Sequence, residues 1–221
     1  MAKFDGGLAI RQLAQELDAR LAQLEAYPIE AELAAEGDLA ALLKLALKNE
    51  VEASEIAACW MPTTADLEVK LGFARQVGDE ARHYRLIADR LEAMGVSLHG
   101  FDPLAQGYTP LFEALRKLET TVERLAAGQF TREAIAVRRN AMFIAYLERH
   151  GQGEVAAIYR EQIQPDEQHH HELGLRGLTR LVDSPERLAR ARAAMELTLS
   201  IAGEMKKAAQ QRMGVKTVPG C

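Results

Sequence analysis

Cysteine is nearly absent: Cys59 and Cys221 are the only two in 221 residues. They form no CxxC pair and no zinc-like spacing, which excludes a disulfide framework and a thiolate metal site. Cys59 lies in an apolar helical stretch and reads as a small core residue. Long apolar runs are missing too, so no bilayer-spanning segment is expected, and the stretch from Met1 to Gly7 does not read as a signal peptide. These absences predict a cytoplasmic protein with no membrane partner. Basic charge is not in excess: the net charge is -5, which argues against a general nucleic-acid binder. Aromatic residues are scarce, at 5% against 48% hydrophobic residues overall. The apolar content is mostly Ala and Leu, which lose little side-chain freedom in a helix.

Helix is therefore expected nearly everywhere, and no segment reads as a strand. An opening helix over 8–26 carries Leu13, Leu17, Leu21 and Leu24 on one stripe, and Pro28 interrupts the chain after it. Asp38 caps a helix that runs to Trp60. Thr63 and Thr64 are candidate caps for the next, over 65–94, ended by Gly95. A turn-rich connection, 95–109, is long enough to cross from one end of a bundle to the other. A helix over 110–127 is expected to break or kink at residues 128–131, with Thr131 capping its successor to His150. After a tight turn at 151–153 comes a helix over 154–181, which Pro165 should bend just before Glu167. Ser184 and Pro185 open a last helix to Met213. Two short-turn hairpins joined by one long crossover are the connectivity of a ferritin-like four-helix bundle. The reading is a single all-α domain over 1–221, with a metal-binding core at 38–182 and flanking helices at 8–26 and 184–213.

The second helix of each hairpin carries a DExxH: Asp79-Glu80-Ala81-Arg82-His83 and Asp166-Glu167-Gln168-His169-His170. Glu and His three residues apart share a helix face and can reach one ion. One ExxH alone is a weak signal, but two in equivalent places are not. A dinuclear carboxylate site needs one further Glu from each remaining helix. Hairpin geometry puts the partner of Glu80 near position 45 and that of Glu167 near 137, give or take about a turn. Glu50 and Glu133 are the nearest acidic residues, with Glu52 and Glu55 as alternatives on the first helix. Metal-bound imidazoles usually donate their other N–H to a carboxylate. Asp79 is expected to support His170, and Asp166 to support His83, across the bundle. His169 and His171 point about 100° away from His170 on either side and read as facing solvent or a partner helix. Tyr84, Tyr146 and Tyr159 read as core packing, and Phe73, Val77, Phe143 and Leu147 as either a channel lining or plain core.

The set Glu50, Glu80/His83, Glu133 and Glu167/His170 resembles the ferritin-like di-iron superfamily, which includes bacterioferritin and rubrerythrin. The segments Gly78–Leu86 and Gly151–His170 resemble a bacterial branch of ferritin-like proteins with DEARH-type motifs, in the same broad group as tRNA hydroxylases. The resemblance covers about 38–182. It implies two iron ions, with manganese or a mixed manganese–iron pair as alternatives, and a reaction with O₂ or peroxide. It further implies an oxidase or hydroxylase acting on a small apolar substrate with an external electron donor, since no CxxC iron domain is present. An iron-handling or peroxide-detoxifying protein and a bundle with a structural metal are the rival readings. Among nucleic acids only tRNA is compatible with the resemblance, and a homodimer is compatible as well.

Overall fold

The computed structural model describes residues 4–25 and 38–212, with side chains placed over 4–22 and 38–205. The regular structure among these residues is all helix, with no strand, and none of the helices is long and apolar enough to cross a membrane. Helix α1 (Gly6–Glu25) buries Ile10, Leu13, Leu17 and Leu21; the side chain of Leu24 and the break at Pro28 lie outside the described residues. Helix α2 (Leu39–Trp60) begins as expected at Asp38, whose carboxylate accepts from the Ala40 amide at 2.9 Å.

Helix α3 (Leu67–Ala93) is capped by Asp66, which accepts from the Val69 amide at 3.0 Å, and not by the two threonines. The helix starts two residues later than expected, out of their reach. Thr63 and Thr64 instead donate to the Trp60 carbonyl and finish α2. Gly95, at φ 81°, ends α3 in the left-handed region that favours glycine.

The second half departs further from expectation. The helix anticipated over 110–127 is two pieces, α4 (Pro110–Leu115) and α5 (Thr121–Leu125), the latter opened by a Thr120–Glu123 capping box. Residues 128–131 do not break the chain's helical course. Instead α5 passes through a π-helical segment, Ala126–Arg132, into α6 (Glu133–Arg149). Thr131 is not a cap; its hydroxyl donates to the Ala126 carbonyl at 2.6 Å. Gly128 is there for a packing reason: a Cβ would lie 2.8 Å from the Trp60 ring.

After Gly151 (φ 72°) the pattern repeats. Helix α7 (Gly153–Ile158) leads through a second π-helical segment, Tyr159–Ile163, into α8 (Gln164–Leu181). The Gln164 amide bonds back to the Tyr159 carbonyl. Pro165, which has no amide to offer, thus sits where the α-helical ladder restarts. The distortion before Glu167 is a widened turn rather than a simple bend. Helix α9 (Pro185–Arg212) closes the described chain, with Ser184 accepting from the Arg187 amide at 3.3 Å; Met213 and Cys221 lie outside it.

Helix α2 packs along α3, α6 along α8, and α3 against α8, while α1 and α9 cover the outside of α5, α8 and the first π segment. The apolar interior is divided in two. One core gathers Trp60, Phe73, Leu125 and Phe130 with α1 and α9. The other gathers Leu43, Leu47, Ile87, Leu91, Leu147 and Ile163. Phe73 and Leu147 are fully buried in these cores, and Val77 and Phe143 are partly buried and pack on them. Cys59 is exposed, against expectation. It precedes Trp60, which faces the core, and a one-residue step turns it about 100° away.

Where α8 meets the first π segment the backbones nearly touch. A Cβ on Gly174 would lie 2.5 Å from the Phe130 amide nitrogen and 2.7 Å from the Gln129 carbonyl carbon. Backbone cannot yield as a flexible side chain can, so Gly174→Ala should cost about 1–3 kcal/mol in urea unfolding of metal-free protein. Gly78→Ala, which meets nothing within 4 Å, should instead be neutral or stabilising by up to about 1 kcal/mol.

Candidate metal centre

Between the two apolar cores lies a polar layer. On α2 it is Glu50; on α3, Gln76, Glu80 and His83; at the start of α6, Glu133; on α8, Asp166, Glu167 and His170. All of these are buried. Each π segment ends just before one of these groups, Glu133 directly and Asp166-Glu167 after Gln164-Pro165. A π turn adds one residue and rotates the rest of the helix about its axis, so both acidic groups of the second hairpin depend on it for their facing.

The layer holds two groups that can each take a metal ion: Glu50, Glu80, His83 and Glu167, and Glu80, Glu133, Glu167 and His170. In each group the donor atoms lie within 4.8 Å of one another. Glu80 and Glu167 belong to both, which is the position of bridging carboxylates. The His83 Nδ1 lies 3.1 Å from Glu80 and 3.4 Å from Glu50. The His170 Nδ1 lies 3.5 Å from Glu80 and 3.7 Å from Glu167. The far nitrogens cross over as expected: His83 Nε2 to Asp166 at 3.1 Å, and His170 Nε2 to Asp79 at 3.2 Å. All six candidate ligands and both supporting aspartates are therefore brought together. Glu52 and Glu55 are not: Glu52 accepts from Thr109, and Glu55 from the Tyr108 hydroxyl.

Three buried atoms in the second group have no hydrogen-bond partner, namely Glu133 Oε2, Glu167 Oε2 and His170 Nδ1. Buried polar atoms seldom go unsatisfied, and all three belong to one donor set. A cation between them would complete each. The donors are carboxylate and imidazole with no thiolate, a set that suits iron or manganese.

Several contributors escaped the sequence reading. The Gln76 amide donates to Glu80 at 3.0 Å and Glu133 at 2.9 Å, and its own oxygen accepts from Gln129 at 2.8 Å. Both glutamines stand four residues before a ligand glutamate, a spacing that could have flagged them. Arg132 donates to Glu133 at 3.1 Å. Outside, Arg82 pairs with Asp166, and Arg75 reaches Asp79 at 3.1 Å and Asp166 at 3.4 Å. His169 lies 2.9 Å from Arg75, and His171 donates to the Phe130 carbonyl at 2.9 Å, so each meets a neighbouring element. Tyr159 is buried edge-on to Phe143.

The electrostatics follow from burial opposed by mutual pairing. Burial alone would drive His83 and His170 towards neutrality, but the carboxylates around them win. Glu50 and Glu80 raise His83 to about 11, and Asp79, Glu167 and Glu80 raise His170 to about 11. Burial raises Glu50 to about 7 despite the nearby His83, and raises Glu167 well above the carboxylate range. Glu80 is also buried, yet its bond to His83 and the charge of His170 hold it well below that range.

The chain matches the family model described as "Protein of unknown function (DUF455)" over residues 13–212. It belongs to the DUF455 family. No curated protein and no solved structure matches it. In this DUF455 protein the chemistry open to the buried Glu–His layer follows from its geometry.

That geometry sets a pH dependence. At neutral pH the metal-free site holds protons on both histidines, and metal binding must release them. Affinity for a divalent ion should rise with pH from about 6 to 9, and calorimetry in buffers of different ionisation heat should show proton release on loading; no release would contradict the site. In the metal-free protein the sign reverses. The raised histidine pKa values contribute stability that is full below 6.5 and is lost as pH rises through about 11. Replacing Asp79 or Asp166 by Asn should weaken metal binding about 10–100-fold while leaving the helical content unchanged.

Proposed function

We propose that this DUF455 protein is a ferritin-like, non-haem dimetal carboxylate protein, di-iron in its working form, and an oxidase or hydroxylase that uses O₂ or peroxide. The observation that carries the reading is the pair of buried donor sets sharing Glu80 and Glu167, each with its own histidine and an outer aspartate. Glu50 and His83 would hold one ion, Glu133 and His170 the other, and Glu80 and Glu167 would span both. Bound iron supplies redox chemistry with O₂ or peroxide that no side chain here provides.

The protein's own part is orientation, charge and dryness. Asp166 and Asp79 fix the two imidazole rings so that each Nδ1 faces inward. Gln76 holds Glu80 and Glu133 at a set separation and is itself held by Gln129. The two apolar cores exclude water from either side of the layer.

Metal analysis of protein made in iron-replete medium tests the reading. Wild type should carry about two ions per chain, and the Glu80→Ala/His83→Ala double variant should carry almost none. Reduced, loaded protein should consume O₂ or peroxide. Well-folded wild-type protein without bound metal would refute it, and steady peroxide turnover with no organic substrate would favour the detoxifying reading.

A further inference from the structure

The two donor sets differ in what their atoms already touch. In the His83 set the inner atoms are engaged with one another: His83 Nδ1 is hydrogen-bonded to Glu80 Oε2 at 3.1 Å and lies 3.4 Å from Glu50 Oε2. Neither Glu50 nor His83 has a buried side-chain oxygen or nitrogen without a partner. In the His170 set Glu133 Oε2, Glu167 Oε2 and His170 Nδ1 make no hydrogen bond. His170 Nδ1 lies 3.5 Å from Glu80 Oε1 and 3.7 Å from Glu167 Oε2. The two shared carboxylates straddle the difference. Glu80 turns Oε2 to His83 and Oε1 to His170, while Glu167 turns Oε1 to His83, at 4.0 Å, and Oε2 to His170. Each offers one oxygen to each set.

The His170 set is held ready from behind. Gln76 Nε2 donates to Glu80 Oε1 at 3.0 Å and to Glu133 Oε1 at 2.9 Å, so a single amide nitrogen ties the two carboxylates together. Gln76 is 1% exposed, and its oxygen accepts from Gln129 Nε2 at 2.8 Å. Arg132 Nη1 donates to the same Glu133 oxygen at 3.1 Å, and Asp79 takes the far nitrogen of His170 at 3.2 Å. These bonds fix both side chains and leave Glu133 Oε2 and His170 Nδ1 unused.

We propose that the two sets bind metal in a fixed order, Glu80, Glu133, Glu167 and His170 first and the His83 set second, with Gln76 as the positioning residue that readies the first. The inference rests on the dimetal reading above. A cation entering the His170 set meets buried donors with no hydrogen bond to lose, whereas one entering the His83 set must displace the bond between His83 and Glu80. The second cation also meets Glu80 and Glu167 already engaged, and the like charge beside it opposes its entry. A protein with one ion is then a defined species, and a mixed pair can be assembled by order of addition.

Chelator-stripped full-length protein is titrated with Mn²⁺, bound ion is measured and electron paramagnetic resonance is recorded at each step, for wild type, Glu133→Gln, Glu50→Gln and Gln76→Met. Wild type should bind in two steps whose affinities differ about tenfold or more, the scale of one hydrogen bond to a charged group. The first equivalent should give the uncoupled spectrum of a single Mn²⁺, and only the second should bring in a spin-coupled pair. Glu133→Gln should lose the tighter step and keep the weaker; Glu50→Gln should do the reverse. Gln76→Met keeps the bulk without the amide and should weaken the first step about tenfold, bringing the two steps together. A role in stability alone would lower the unfolding temperature and leave their ratio unchanged, which would overturn the part assigned to Gln76. Coupled pairs at half loading, or loss of the tighter step in Glu50→Gln and not in Glu133→Gln, overturn the order. If Gln76→Met fails to fold, the two glutamate variants still decide the order. Protein that binds two ions with equal affinity sinks this inference and leaves the metal reading intact; folded protein that binds none sinks both.

Discussion

Four glutamates meet in a dry interior, and everything around them answers to that. Carboxylates brought this close repel one another, and burial denies them water. Two imidazoles between them, and two aspartates behind the imidazoles, turn the repulsion into an alternating array of charge. The result shows in the opposite fates of neighbours: Glu80 is held well below the carboxylate range while Glu167 is driven well above it. Without a cation the array shares protons in place of metal. Such an array cannot sit at a surface, where solvent would screen it, nor in a uniform core, where nothing would balance it. It occupies a layer between two apolar cores, each of which is complete without it.

The layer imposes demands on helices that ordinary α-helical geometry does not meet. In the first hairpin, α2 and α3 present Glu50, Glu80 and His83 from unbroken helices. In the second hairpin both helices widen into π turns just before their acidic groups. The carbonyls of the first widened turn take extra side-chain bonds, one from within the segment and two from other helices. Thr131, Thr198 and His171 donate to the carbonyls of Ala126, Ala127 and Phe130. Close packing by Gly174 and by Gly128 under Trp60 holds the first of them in place. The helix α9, outside the metal-bearing hairpins, thus contributes to the site by supplying Thr198.

The donors were legible because their signal is local. A Glu and a His three residues apart announce a shared face, and short turns fix which helices pair, so Glu133 and the crossed aspartates follow from counting. Glu50 could be separated from Glu52 only by structure; two residues apart, they point roughly 200° from each other, and Glu52 went to Thr109. The π turns were not legible. A residue inserted into a helix leaves no compositional mark, and Gly128 and Pro165 read equally well as breaks. The Asp66 cap escaped for a similar reason, since Thr63, Thr64 and Asp66 are all capping residue types within four positions and differ only in where the helix starts. Phe73 and Leu147, two of the four channel candidates by position, are fully buried in the two cores.

Arg75 stands apart from these arrangements. Its side chain is 48% exposed, yet it touches both Asp79 and Asp166. Those two aspartates hold the two histidines, one on each side of the layer. A single solvent-facing guanidinium is therefore wired to the outer carboxylates of both halves of the buried site. The interior is walled by two apolar cores but not closed to information: a charge brought up to Arg75 reaches each imidazole through one aspartate.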